Sequence, residues 1–213
     1  QAWVQHVDRF RRNSLDDAGL QMVSSAHFSR NFNNAFWNGT QMTYGDGDGR
    51  NFLEFSGALD VVGHELTHGV TEFTSNLIYE NESGALNESF SDIIGNSIEH
   101  FAATGGLDPA GAPDWLVAED ISLIPDAEPG FRNMTDPRED GDPDHYSEFI
   151  VTTADNGGVH SNSGIPNHAY TVLVNGGRNA GCDAVGSGGH MHTADCDIVV
   201  PGVGLNIAQQ VFY

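Results

Sequence analysis

The sequence predicts an α+β fold, and two observations carry that expectation. Between residues 35 and 55, short aromatic segments surround the stretch Gly45-Asp46-Gly47-Asp48-Gly49, a pattern of strands and a turn. From Asp60 to about Ser75 the pattern becomes helical, and it is helical again from Asn87 to Phe101. In that second stretch Phe90, Ile93, Ile94, Ile98 and Phe101 fall at offsets 0, 3, 4, 8 and 11, one apolar face. Strands followed by helices is the order of an α+β chain.

The remaining elements follow in order. Trp3, Val4, Val7 and Phe10 suggest an opening helix; a turn at Asp16-Asp17-Ala18-Gly19 and a short apolar segment, Leu20 to Val23, come next. The Gly45–Gly49 stretch begins like a calcium-binding EF-hand loop. Twelve positions counted from Asp46 end on Gly57, however, so the bidentate glutamate is missing and the stretch reads as a turn. Residues 105–145, rich in Gly, Pro and Asp, predict long loops. Residues 166–174 predict another helix, and 175–204 form a Gly-rich segment holding both cysteines. No internal repeat is present. The chain begins at Gln1 and stops at Val211-Phe212-Tyr213 inside an apolar, helix-like pattern, which reads as part of a longer protein.

Composition narrows the function classes. The chain has 213 residues, with 30 acidic and 8 basic side chains, a formal charge of −22; all eight basic residues are arginine. Too few cations are present to neutralise phosphates, so nucleic acid is not an expected partner. No apolar run approaches the ~18 residues of a membrane span. Twelve Phe, 5 Tyr and 3 Trp supply a core. The acidity has two readings: solvated loops and calcium sites of a secreted protein, or adaptation to high salt, which the absence of lysine favours.

The chemistry centres on His64-Glu65-Leu66-Thr67-His68. On a helix, positions i and i+4 share a face, so both imidazoles can reach one metal ion. Glu65 is then placed to approach a metal-bound water without ligating, as in the HExxH zinc-protease motif. A catalytic zinc needs a third protein ligand. Glu88, 20 residues after His68, lies in Asn87-Glu88-Ser89-Phe90-Ser91-Asp92, where Asp92 shares its helix face. Glu88 can ligate while Asp92 accepts the spare N–H of a ligand histidine.

These motifs closely resemble the thermolysin-like neutral metallopeptidases, family M4. The resemblance runs through Asn33-Asn34-Ala35-Phe36-Trp37-Asn38-Gly39, Gly84 to Asp92, Asp142-Pro143-Asp144-His145-Tyr146 and Asp155 to Gly164, covering roughly residues 20–175. It implies a two-lobe gluzincin fold, truncated at both ends, lacking the family's upstream β-rich region and downstream helices. Residues 1–78 would belong to the α+β catalytic lobe and 79–213 to the mainly helical lobe. His64, His68 and Glu88 would hold one catalytic zinc, and Glu65 would activate the attacking water. Tyr79 and His160 resemble the pair that stabilises the oxyanion, with Asp155 orienting His160; on residues alone, His160 with its nearby Asp155 also reads as structural. Arg132 resembles the arginine that grips the substrate backbone, and Asn34 and Ala35 the edge positions that pair with extended substrate. Phe52, Phe55, Val61, Val117 and Phe131 match the S1′ pocket, which favours large apolar side chains after the scissile bond. Taken singly, each also fits plain core.

Asp60, Glu99, Asp114 and Glu119 match the family's calcium ligands, a set of carboxylates suited to a hard cation. Leu116 stands where double-calcium members carry Glu, so one structural calcium is expected, with the Leu116 carbonyl as a further ligand. Cys182 and Cys196 enclose 13 residues and predict a disulfide in a secreted chain. Gly189-His190-Met191-His192 with Asp195 is a weaker candidate for a second metal site. Asn-x-Ser/Thr sequons at Asn38, Asn81, Asn87 and Asn133 carry no weight, since Asn87 abuts a proposed zinc ligand. The expectation is therefore a secreted, monomeric zinc endopeptidase acting on protein or peptide substrates. The rivals are a zinc- and calcium-binding structural or adhesive module derived from one, and a calcium-binding secreted domain whose HExxH is incidental.

Overall fold

A computed structural model describes residues 11–105, 113–124, 130–182 and 196–212. The expected opening helix and the His190/His192 candidate lie outside these residues. The Asp16–Gly19 turn is built by side chains: Asp16 Oδ1 accepts the amides of Ala18 and Leu20 at 2.9 and 3.0 Å, and Gly19 adopts φ +90°. This delivers the chain to strand β1 (Ser24–Ser25), which pairs parallel with β3 (Met42–Tyr44). Strand β2 (Ala35–Trp37) pairs antiparallel with β3, Phe36 opposite Thr43, giving the order β1-β3-β2 with β2 at the edge.

The reversal between β2 and β3 falls at Asn38–Gln41, not at the glycine-rich stretch expected to separate strands. Asn38 Oδ1 accepts the amides of Thr40 and Gln41, both at 3.0 Å, and Gly39 adopts φ +89°, which completes the turn locally. The Gly45–Gly49 stretch instead leads out of β3. There Asp48 accepts the amides of Arg50 and Asn51 and the side-chain amides of Asn33 and Asn51, so its carboxylate organises a turn.

Two helices form the centre. Helix α1 (Leu59–Glu72) carries the HExxH motif, and α2 (Asn81–Thr104) carries Glu88 and Asp92, ending where Gly105 adopts φ +76°. Helix α2 begins six residues before the expected Asn87. Gly84 reads as a break in sequence, yet a Cβ there would stand 2.4 Å from Val159 Cγ1, so it marks a close approach inside a continuing helix. Helices α1 and α2 touch backbone to backbone at Gly63 and Gly95: a Cβ on Gly95 would stand 2.5 Å from the Asp60 carbonyl oxygen.

Within the segment expected to be loops, strands β4 (Leu116–Val117) and β5 (Arg132–Asn133) pair antiparallel, Val117 opposite Arg132. Helix α3 (Asp155–Asn162) opens with Asp155, Asn156, Gly157 and Gly158 all at positive φ before its last turn. Helix α4 (Gly164–Asn175) and α5 (Leu205–Phe212) pack together, with the Tyr170 and Phe212 rings 4.8 Å apart. One core joins these layers, including Phe55, Leu66, Ile93, Ile98, Trp115, Met134 and Tyr170. Cys182 and Cys196 are bonded. No helix among the described residues is long and apolar enough to cross a membrane.

The glycine crossing gives a prediction with a sign. Alanine exceeds glycine in helix propensity by about 1 kcal/mol, so Gly95→Ala would stabilise a helix that had room. Here the methyl meets backbone, and overpacking costs about 1–3 kcal/mol. Urea unfolding is expected to show a net loss of stability; a gain would mean that the helices are not held at contact.

Candidate active site

Helix periodicity gathers the central residues. His64 and His68 are one turn apart on α1, and Glu88 and Asp92 one turn apart on α2, so both pairs face the helix interface. One ligand atom from each of His64, His68 and Glu88 lies within 4.8 Å of the other two. His68 Nε2 is 2.9 Å from His64 Nε2, and the Glu88 carboxylate lies 3.5 Å from His64 Nε2 and 3.3 Å from His68 Nε2.

Their outer atoms explain why they converge. His64 Nδ1 is 2.9 Å from Asp92 Oδ1, and His68 Nδ1 is 2.8 Å from Asn87 Oδ1, with Ser91 Oγ at 3.2 Å. Each Nδ1–H therefore donates outward, and each Nε2 turns its lone pair inward. Glu88 Oε2 and Glu65 Oε2 are buried without a hydrogen-bond partner. Two lone pairs and a carboxylate aimed at one point repel one another unless a cation joins them, and two nitrogens plus one oxygen suit zinc. Burial disfavours charge on His68, yet Glu88 and Glu65 outweigh it and lift the imidazole to about 9. A proton and a metal ion thus compete for the same lone pair. Burial works against the charge on Glu88 too, but His68 and His64 hold its carboxyl well below the usual range. Glu65 is pushed up by burial, against the pull of the two imidazoles and the Trp37 backbone amide.

Asp92 is fully enclosed and fully used. Arg132 donates to both its oxygens, Nε at 2.7 Å and an Nη at 2.6 Å, and Asn167 Nδ2 donates at 2.8 Å. Burial opposes its charge, but Arg132 and His64 keep it ionised. The arginine expected to face substrate therefore has two donors committed to Asp92 while its side chain still lines the cleft.

At the mouth, the Tyr79 hydroxyl donates to Glu88 Oε1 and lies 3.3 Å from His160 Nε2. Asp155 grips His160 twice: Oδ2 accepts its amide at 2.9 Å, and Oδ1 lies 2.6 Å from Nδ1. The left-handed run that opens α3 turns this aspartate back onto the histidine.

A cleft of roughly 510 Å³ runs over these groups. Of the residues expected to meet substrate, Asn34, Ala35, Phe55, Val61, Val117, Phe131 and Arg132 line it. Phe52 does not: it is buried behind the wall, its ring 4.6 Å from Phe131 and 5.6 Å from Phe55. Phe36, Trp37, Glu72, Asn76, Leu77 and Ile78 line the cleft without having been singled out. Asn87, Ser91 and Asn167 were likewise missed as anchors. Only their i−1, i+3 and long-range relation to Glu88 and Asp92 marks them, and the last is invisible in sequence.

A second cluster joins the same helix pair to the turn after β4. Oxygens of Asp60, Glu99 and Glu119 come within 4.8 Å of one another, while Asp114 stays outside that triad and accepts the Leu116 amide. Asp60 Oδ1, Glu99 Oε1 and Glu119 Oε2 are buried without partners. Burial and mutual repulsion push Glu99 up to about 9 and Glu119 to about 7. Three orphaned oxygens suit a hard, oxygen-seeking cation.

The helix pair with its two histidines, three supporting carboxylates and open cleft defines a metallopeptidase-type centre, and comparison with known proteins agrees. The family description "Thermolysin metallopeptidase, catalytic domain" matches residues 1–72, and "Thermolysin metallopeptidase, alpha-helical domain" matches 75–213. The chain belongs to the thermolysin family of metallopeptidases. It is 52% identical over 179 residues to bacillolysin of Bacillus cereus, covering 84% of this chain and 30% of that protein. It is 51% identical over 177 residues to thermolysin of Alicyclobacillus acidocaldarius subsp. acidocaldarius, covering 83% and 31%. The precursor of protealysin, a metalloproteinase from Serratia proteamaculans, superposes with a TM-score of 0.73 at 42% identity, over 81% of this chain and 55% of that one. The chain thus spans about 30% of the length of these two sequence relatives.

The anchoring of Asp92 predicts a large effect at a distance from the cleft surface. Asp92→Ala strands a buried guanidinium and frees His64, and breaking such a pair costs about 3–5 kcal/mol. Urea unfolding checks this; a loss below about 1 kcal/mol would mean that Arg132 finds water instead.

Proposed function

We propose that this chain carries the catalytic centre of a zinc-dependent endopeptidase. The observation that supports it most is the inward convergence of the His64, His68 and Glu88 lone pairs beside the buried Glu65 carboxylate, one of whose oxygens has no partner. A zinc ion held by those three residues supplies the Lewis acidity that acidifies a water and polarises a carbonyl. Glu65, its basicity raised by burial, takes the proton of the attacking water and passes it to the departing amine. Tyr79 Oη and His160 Nε2, fixed at one side of the site, donate to the oxygen that gains charge. Asp155 holds the His160 ring for that donation.

Substrate binding follows from the cleft walls. The edge strand β2 offers Ala35, with Asn34 just before it, to an extended peptide, and Arg132, steadied by Asp92, would face the peptide backbone. Phe55, Val61, Val117 and Phe131 form an apolar wall suited to a large hydrophobic side chain just after the scissile bond. Asp60, Glu99 and Glu119 would hold one calcium ion, tying α1 to α2, while the expected Leu116 carbonyl ligand instead accepts a hydrogen bond from Asn96 Nδ2 at 2.6 Å. The acidic surface and the disulfide fit a secreted enzyme working in an ion-rich medium.

Glu65→Gln separates metal binding from chemistry. The variant is expected to bind zinc one to one while cleavage of a quenched peptide with Phe or Leu after the scissile bond falls by at least about 10²-fold, the lower range for a general base. Cleavage by the unmutated chain should stop with 1,10-phenanthroline. Turnover unchanged by the substitution would overturn the mechanism.

A further inference from the structure

We propose that Trp37 and Glu72 form a subsite for a cationic side chain, lysine or arginine, on the N-terminal side of the scissile bond. This rests on the peptidase reading above. Helix α1 is the floor of the cleft: Val61, His64, Glu65, His68 and Glu72 line it at offsets 0, 3, 4, 7 and 11, one helix face. At about 1.5 Å per residue, Val61 and Glu72 stand roughly 16 Å apart along the axis, with the histidines between them. The apolar wall lies at the Val61 end, so Glu72 marks the opposite end, about 9 Å beyond the midpoint of the histidine pair. An extended peptide advances about 3.3 Å per residue, which brings a side chain two to three residues before the scissile bond to Glu72.

The local chemistry at that end is prepared for a cation. The Trp37 indole Nε1–H donates to Glu72 Oε2 at 2.7 Å. The ring also lies against α1 at Gly69, where a Cβ would stand 3.5 Å from its Cε2 and Cζ2. Both side chains are therefore held in place, and Glu72 keeps its second oxygen for another donor. Among the described residues, no arginine or histidine forms an ion pair with Glu72. An indole face beside a carboxylate attracts an ammonium or guanidinium through both its quadrupole and its charge. Among the described residues that line the cleft, the one arginine, Arg132, is paired with Asp92.

The test uses labelled peptides with phenylalanine after the intended bond and either arginine or uncharged citrulline two or three residues before it. Binding is measured by fluorescence anisotropy to the zinc-loaded Glu65→Gln protein, with and without Glu72→Gln. That second substitution keeps an oxygen acceptor for Trp37, so the ring stays in place. At low salt the arginine peptide is expected to bind about tenfold tighter than the citrulline peptide, and Glu72→Gln to bring the ratio near one. Moving the arginine to the other side of the phenylalanine should remove the dependence on Glu72, which separates this subsite from general attraction to the −22 charge. Equal affinities for the two peptides, absence of binding by either, or a ratio that survives Glu72→Gln would overturn the subsite. Cleavage of the same peptides by the unmutated chain is read in parallel: its absence would sink the peptidase reading, whereas the affinity ratio judges the subsite alone.

Discussion

Contact between the backbones of α1 and α2 at Gly63 and Gly95 is the constraint on which the rest of the molecule depends. With no side chain between the helices, every polar residue on the two facing stripes is forced into reach of its opposite number. Asp60, His64 and His68 on α1 meet Glu99, Asp92 and Glu88 on α2, so one crossing generates the first cluster and supplies two of the three members of the second, Glu119 coming from the turn after β4. A larger residue at either glycine would open the interface by a fraction of an ångström to an ångström, comparable to the tolerance of a metal site. The local helix penalty of glycine, about 1 kcal/mol, is small beside what its absence of a side chain makes possible.

Burying so many ionisable groups demands that each be answered. Asp92 is the model case: His64, Arg132 and Asn167 satisfy both oxygens, so its enclosure is tolerable and its geometry fixed. Through it, strand β5 and helix α4 both determine how the His64 ring stands. Glu88 is answered by two imidazoles and the Tyr79 hydroxyl, yet its Oε2 accepts no hydrogen bond, and neither does Glu65 Oε2. These two oxygens thus stand without a hydrogen bond at the centre, while the outer nitrogens of both histidines are held by Asp92 and Asn87. Ligand side chains whose outer atoms are held in this way preorganise a site.

Much of this was legible in sequence because it is helical. The i, i+4 spacing of His64 and His68, and of Glu88 and Asp92, fixes their faces before any tertiary structure is known. The pairing of the two faces is not fixed by spacing; it was inferred from what a catalytic zinc needs, a third ligand and an acceptor for a ligand histidine. Tyr79 and His160, which lie 81 residues apart, came from the resemblance and meet where α3 opens with four positive-φ residues. The turn between β2 and β3 was misplaced because three glycines and two aspartates at 45–49 outweighed the quieter Asn38-Gly39 signal, although Asn38 accepts both amides of the reversal. The first turns of α2 were missed because Gly84 reads as a breaker where it is a point of contact. Phe52 belongs to the right cluster of rings, but sequence cannot tell the front of an aromatic wall from its back.

Metal coordination by one residue pair from α1 and one residue from α2 is the central claim, and X-ray absorption at the zinc edge tests it most directly. For the zinc-loaded chain the account predicts two imidazole nitrogens at about 2.0–2.1 Å and carboxylate or water oxygen at about 2.0–2.2 Å. His68→Ala should remove half of the imidazole signal. A sulfur shell near 2.3 Å, an oxygen-only environment, or a spectrum unmoved by His68→Ala would place the ion elsewhere and contradict the account.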